Sequence, residues 1–177
     1  MTISKRLLIL LLTAVIALVI VATLSFTQMN RVYKAADYGN ENVVPSILAL
    51  DKALKDFMTV RIRVYRHITN NDPKVMADVD ATIVDSRKNV EAALKSYEPL
   101  VMDDEDRRLL EKEKQLLSQY IDALQPLLEL SRQGKKDEAI KQLDKVVPLA
   151  RELQKTFEDH MHFNEKLGQK VAADGAS

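Results

Sequence analysis

The chain contains no cysteine and no tryptophan, and only 4 glycines and 5 prolines in 177 residues. Without cysteine there are no disulfides and no thiolate metal ligands, although a cysteine-free chain is tolerated in any compartment. Charge of one sign is also missing: 26 basic residues balance 26 acidic ones, so nothing in the charge points to nucleic acid as a partner. Few glycines and few aromatics, beside abundant Leu, Ala, Lys, Glu and Gln, favour helices over sheets. The chain has no glycine-rich phosphate loop, no nucleophile elbow and no HExxH pair. No enzymatic chemistry and no cofactor is therefore expected.

What is present begins with residues 7–26, LLILLLTAVIALVIVATLSF, a run without a charge. At about 1.5 Å per residue it reaches about 30 Å, the thickness of a hydrocarbon core. It is longer than the apolar region of a secretory leader and no clear cleavage motif follows, which favours a retained anchor over a cleaved signal. Lys5 and Arg6 precede it. The positive-inside rule then leaves the N-terminus in the cytoplasm and everything after about Thr27 outside, which in a bacterium is the periplasm. The expected division is 1–27, cytoplasmic N-terminus and transmembrane helix, and 28–177, a periplasmic domain.

Beyond the anchor, breaks punctuate long helical stretches. Gly39 and Pro45 form a weak one, where Pro45 suits either an early turn of a restarted helix or a kink in a continuous one. Asn70-Asn71-Asp72-Pro73 is a strong stop and restart, with Asp72 as cap and Pro73 at the first helical position. Glu98-Pro99 and the acidic Asp103-Asp104-Glu105 mark another helix start. Gly134, between Gln133 and Lys135, suits a C-terminal cap. These signals predict helices over about 42–71, 73–97, 104–133 and 136–172, joined by short connections and so successively antiparallel. Pro126 and Pro148 should kink the last two rather than end them.

Apolar residues recur at alternating spacings of three and four. The first helix offers Ile47, Leu50, Leu54, Phe57, Arg61, Val64 and Ile68. The third offers Leu109, Leu116, Tyr120, Ala123, Leu127 and Leu130; the fourth, Leu143, Val146, Ala150, Leu153, Phe157, His160, Asn164 and Leu167. In the second, Val75, Val79, Thr82 or Ile83, Ser86, Val90 and Ala93 make a weaker stripe. The fold class expected is all-α: an antiparallel up-down-up-down four-helix bundle preceded by a transmembrane helix.

Several segments together carry a family likeness. They are the basic-flanked anchor running into a long helix, Val43-Val44-Pro45-Ser46-Ile47, and Arg61, Arg63, Tyr65 and Arg66. Arg132-Gln133-Gly134-Lys135-Lys136-Asp137-Glu138-Ala139, Val146-Val147-Pro148-Leu149-Ala150-Arg151 and Asn164 complete the set. In order and spacing the chain resembles the N-terminal sensory region of bacterial methyl-accepting chemotaxis proteins of the four-helix-bundle ligand-binding type. That resemblance implies a periplasmic sensor acting as a homodimer. It also implies a small ligand near the membrane-distal end, and a piston-like shift of the last helix against the first. A second membrane span, a HAMP linker and a methylated signalling hairpin do not occur in these residues. Cytoplasmic signalling partners would be reached only through regions absent from this chain. A receptor cut before its second span is one expectation, a natural single-pass protein the alternative.

Arg61 takes a seam position, where a charge is costly unless paired. It could serve a buried salt bridge, snorkel out of the seam, or bind an anion. Arg63 and Arg66 raise the local guanidinium count to three, with no acid between Asp56 and Asp72. They lie on a different face from Arg61, so a dimer interface would be needed to gather all three. Counting residues from the turns predicts that Arg61, Thr82, Tyr120 and the Val147–Arg151 turn share one level. Hydroxyls and guanidinium inside an apolar bundle suit a carboxylate or amino acid. The candidate ligand-binding set is Arg61, Arg63, Arg66, Thr82, Tyr120 and Arg151. No metal site is expected, because His160 and His162 point to nearly opposite helix faces. Asn164 reads as a register-fixing polar residue, and the acidic residues as solvated charge on exposed faces. Two other readings stay open: the sensor half of a histidine kinase or nucleotide cyclase, and a membrane-anchored helical scaffold that docks a periplasmic protein.

Overall fold

A computed structural model describes residues 2–176 and contains, among them, no strand. Helix α1 spans Ile3–Tyr38, a π-helical turn follows over Gly39–Val43, and α2 covers Val44–Thr69. Then come α3, Pro73–Tyr97, a short 3₁₀ turn over Glu98–Leu100, α4, Asp104–Arg132, and α5, Lys136–Ala176. Helices α2–α5 form the four-helix bundle.

The first expected break is not a break. Ile3–Thr69 is one uninterrupted helical rod, and the π turn shows how it tolerates Pro45. A proline lacks the N–H that would bond four residues back. Here the turn widens instead, and the Val44 N–H reaches the Gly39 carbonyl, five residues earlier. The boundary drawn near residue 27 falls inside α1, with no change in the backbone there. Residues 7–26 are exposed along their whole length.

The other breaks follow local chemistry. Asp72 caps α3, its carboxylate accepting from the Lys74 N–H at 2.9 Å, with Pro73 as the first helical residue. Asp103 caps α4 by accepting from the Asp106 N–H at 2.9 Å. Gly134, at φ 73°, ends α4 in a Schellman arrangement. Its N–H bonds the Ser131 carbonyl and that of Lys135 bonds the Leu130 carbonyl, both at 3.0 Å. Helices α4 and α5 run through Pro126 and Pro148, both of which face solvent.

The core is one continuous cluster through all four bundle helices. Its centre is aromatic: Phe57 meets Tyr120 edge-on with ring centroids 5.1 Å apart, and Phe157 lies 6.2 Å from Phe57. Such pairs add roughly 0.5–1.5 kcal/mol to the burial of their area. Two details correct the expected seams. On α2 the buried stripe is Leu50, Ala53, Phe57, Val60, Val64 and His67, so Val60 holds the position assigned to Arg61, which is only half-buried at the edge. On α4 the stripe is Asp106, Leu110, Glu113, Leu117, Tyr120, Leu124, Leu127 and Ser131. Asp106 and Glu113 are fully buried, which overturns the expectation that all acidic residues lie on exposed faces.

Helix α2 packs beside α3 and α5, and α4 beside α5, while α3 touches α4 only sparsely. The end of α5 returns along α1. Gly168 lies against Val43, and Gly175 so close to α1 that a Cβ on it would fall 2.6 Å from that of Ala35. Glycine at these two positions is what lets the helices touch.

Candidate functional site

Three polar places interrupt the apolar core. The first lies between α2 and α5, two turns below the far end of the bundle. The Arg61 guanidinium rests over the Phe57 ring at 6.0 Å and donates from Nη1 to Gln154 Oε1 at 2.6 Å. Among the described residues no carboxylate lies within ion-pair reach of it. Gln154 in turn donates to Glu158 at 2.8 Å. Beside Arg61 is a small cleft lined by Val64, Tyr65, Tyr120, Leu143, Val146, Val147 and Ala150. Its volume is about 10 Å³, room for about one water molecule. Burial pushes the Tyr120 hydroxyl up in pKa, and the nearby Arg61 charge partly offsets this.

Of the residues expected at one level, the fold brings Arg61, Tyr120 and the Val147–Ala150 turn together. Arg151 is exposed just beyond that turn. Arg63 is half-buried and Arg66 exposed, and neither lines the cleft. Thr82 does not reach it: its hydroxyl bonds its own helix at the Asp78 carbonyl, 2.9 Å away, while the adjacent Ile83 faces the core. The level was read correctly for three of the helices. On α3 the helical phase turns Thr82 aside.

The second place is at the opposite end, next to α1, and sequence reasoning missed most of it. His160, Asp106, Glu113, Tyr97 and Asn164 are all wholly buried. The His160 ring is held from both sides, Nε2 at 2.7 Å from Asp106 Oδ1 and Nδ1 at 2.9 Å from Glu113 Oε1. Tyr97 donates its hydroxyl to Asp106 Oδ1 at 2.6 Å, and Asn164 Nδ2 donates to the Tyr97 hydroxyl at 2.8 Å. The Met102 N–H completes the shell of Asp106 at 2.9 Å.

This geometry sets the charge states. Burial alone would lower His160, but the hydrogen bonds and charges of Asp106 and Glu113 outweigh it and raise the ring to about 9. Burial would raise Asp106, yet bonds from His160, Tyr97 and Met102 hold it below the usual carboxylate range. For Glu113 burial wins: despite His160, it is pushed up to about 7. The cluster is an imidazolium between two acids, one firmly ionised and one poised near neutrality. The exposed His162 lies on the far side of α5, 3.2 Å from Glu165. Asn164, expected to fix register, lies buried in the seam and bonds the Tyr97 hydroxyl.

The third place is at the far end. The buried His67 places Nδ1 2.8 Å from Ser131 Oγ and Nε2 3.3 Å from Asp80, which Arg132 grips with two nitrogens at 3.0 and 3.1 Å. Burial lowers the His67 pKa, with Asp80 partly opposing. Among the described residues no group of three or more His, Cys, Asp or Glu side chains is arranged to hold a metal ion.

A bundle of this build, entered by an apolar helix, matches over residues 1–177 the family model described as a four helix bundle sensory module for signal transduction. The chain belongs to the sensory-module family of methyl-accepting chemotaxis proteins. No curated protein matches the chain. The sensory module is a signal-input element rather than a catalytic one. One helix of this module, Ile3–Thr69, contains a stretch long and apolar enough to cross a membrane.

Proposed function

We propose that this chain is the input module of a transmembrane chemoreceptor, working as a homodimer. Residues 7–26 cross the bacterial inner membrane, and the bundle stands in the periplasm. The proposed ligand is a small carboxylate or amino acid, taken at Arg61 and Tyr120, with Arg63, Arg66 and Arg151 from the same or a second subunit adding positive field. The observation that carries this reading is the partner of Arg61. A structural arginine in a bundle interface pairs with a carboxylate, because an uncompensated charge there is costly. Arg61 instead binds the neutral amide of Gln154, which an incoming carboxylate can displace with a stronger, charge-assisted bond.

The size of the cleft supports a mechanism. Room for about one water cannot admit a carboxylate, so binding favours a state in which α2 and α5 have parted or slid. Helix α2 is one rod with the membrane span, and α5 returns along that rod. Movement between them at the ligand is therefore movement at the membrane. The test is a thermal-shift screen of the full chain in detergent against small carboxylates and amino acids. A ligand at a hundredfold excess over its Kd should stabilise the fold by about 2.7 kcal/mol. Arg61→Ala should keep the unliganded melting point and lose the response. A parent protein that answers no carboxylate, with Arg61→Ala melting well below it, assigns Arg61 to structure alone.

A further inference from the structure

The anion reading does not use the buried cluster next to α1. It is also the place with most unsatisfied chemistry. Six buried side-chain polar atoms lack a hydrogen-bond partner among the described residues, and five belong to this end: Tyr38 Oη, Asn42 Oδ1, Ser46 Oγ, Glu113 Oε2 and Asn164 Oδ1. Buried polar atoms in native proteins are nearly always paired, so such a concentration calls for a reason.

We propose that Glu113, together with His160 and Asp106, forms a proton-binding site through which this sensory module registers the acidity of its surroundings. The proposal rests on the module being a sensor, but not on the anion site at Arg61. The case starts from charge. One imidazolium is compensated by Asp106, which already accepts from His160, Tyr97 and the Met102 N–H. A pair needed only for folding would stop there. Glu113 adds a second carboxylate with no second base, leaving one surplus negative charge in a closed interior, where an unpaired charge is costly. A single proton removes it. Glu113 Oε2, buried and unpartnered, is the free oxygen that can take it.

The surroundings offer no other compensation. Helix α3 contributes Tyr97 and α5 contributes His160 and Asn164. The cap residue Asp103 and Asp106 act on Tyr38, an ionisable group of α1. Helix α2 contributes Ser46, which faces the Tyr97 hydroxyl. Among the described residues the facing groups are thus acids, hydroxyls and amides, with His160 as their one cation.

Placement supplies the output. Tyr38, Asn42 and Ser46 flank or lie within the π turn where the rod bends its hydrogen-bond ladder, and Asn42 Nδ2 ties that turn to the Leu100 carbonyl at 2.8 Å. Their unpartnered atoms can re-pair when the charge beside them changes. Protonation of Glu113 then shifts the balance between two arrangements of the junction of α1, α3 and α5, and π turns are frequent sites of such function.

The test uses the full chain in nanodiscs, whose lack of cysteine allows clean spin labelling. Labels at Lys34→Cys and Lys170→Cys report the spacing of α1 and α5. In the otherwise native protein the distance distribution should change between pH 8 and pH 6. Glu113→Gln, neutral at every pH, should show the acid-state distribution at both. In parallel, the Glu113 side-chain carbonyl carbon in ¹³C-labelled parent protein should titrate with a midpoint near 7, a reading that needs no variant to fold. A midpoint below 5, or a distance indifferent to pH, overturns the proposal. Loss of carboxylate response with these pH effects intact sinks the anion reading alone.

Discussion

Raising the pH from 5 to 9 should steadily destabilise this bundle, against the common pattern in which acid unfolds proteins. Two buried groups set the sign. Glu113 has its pKa raised in the fold, from 4.5 to about 7. Between those values the folded chain holds a proton that the unfolded chain has released, so stability falls as pH rises. His160, raised from 6.5 to about 9, acts in the same sense over a higher window: its contribution is complete below 6.5 and lost as pH climbs through 9. Each displacement corresponds to roughly 3 kcal/mol. About 2 kcal/mol of the Glu113 share is lost between pH 5 and pH 7, which for a chain of this length is a fall in Tm of roughly 4–8 °C. Two groups oppose. His67, lowered by burial, loses stability as pH falls below 6.5 and so blunts the lower part of this window, whereas Asp106, held low, acts only below 3.8, outside it. The assay is therefore a difference: thermal melts of the parent and Glu113→Gln at matched pH. The parent should lose several degrees more than the variant between pH 5 and 7. Parallel melting curves across that window would refute the assignment of a neutral-range proton to Glu113.

Other perturbations test the packing. Gly175→Leu should drive α5 off α1 and cost about 1–3 kcal/mol, as overpacking does. Ala35→Gly in the same chain should recover part of that loss in a double-mutant melt, because the clash is with the Ala35 methyl. Asp72→Ala removes the cap on the Lys74 N–H and should lower stability by about 1 kcal/mol in denaturant titration. Asp72→Asn should cost far less, since its side-chain oxygen can still accept.

Much of this architecture was legible in the chain because its breakers act locally. Asp72-Pro73 and Gly134 bring their own capping chemistry, so helix ends could be placed without knowing the packing. The α5 stripe was legible too, down to His160 and Asn164 in the seam. On α2 the phase slipped by one position. Leu50, Phe57 and Val64 are shared by two possible seams, and the small Ala53 and the polar His67 that complete the true one carry a weaker apolar signal than Leu54. Arg61 thereby looked central when it stands at the edge. On α4 the acids at 106 and 113 resembled first-turn charge and a solvated face. Yet the even three-and-four spacing of Leu110, Leu117, Tyr120, Leu124 and Leu127 runs through both. A histidine in the α5 seam also demanded an acceptor at its level. That pairing was the one available signal for the cluster, and it requires reading two helices together.

The central claim is that a carboxylate enters between α2 and α5 and parts them. Spin labels at Ile62→Cys on α2 and Lys155→Cys on α5, both exposed, measure this directly in the full chain. A saturating carboxylate that raises the melting point should also shift the distance between these labels, and Arg61→Ala should abolish the shift. A ligand that binds and stabilises while leaving that distance unchanged would contradict the account.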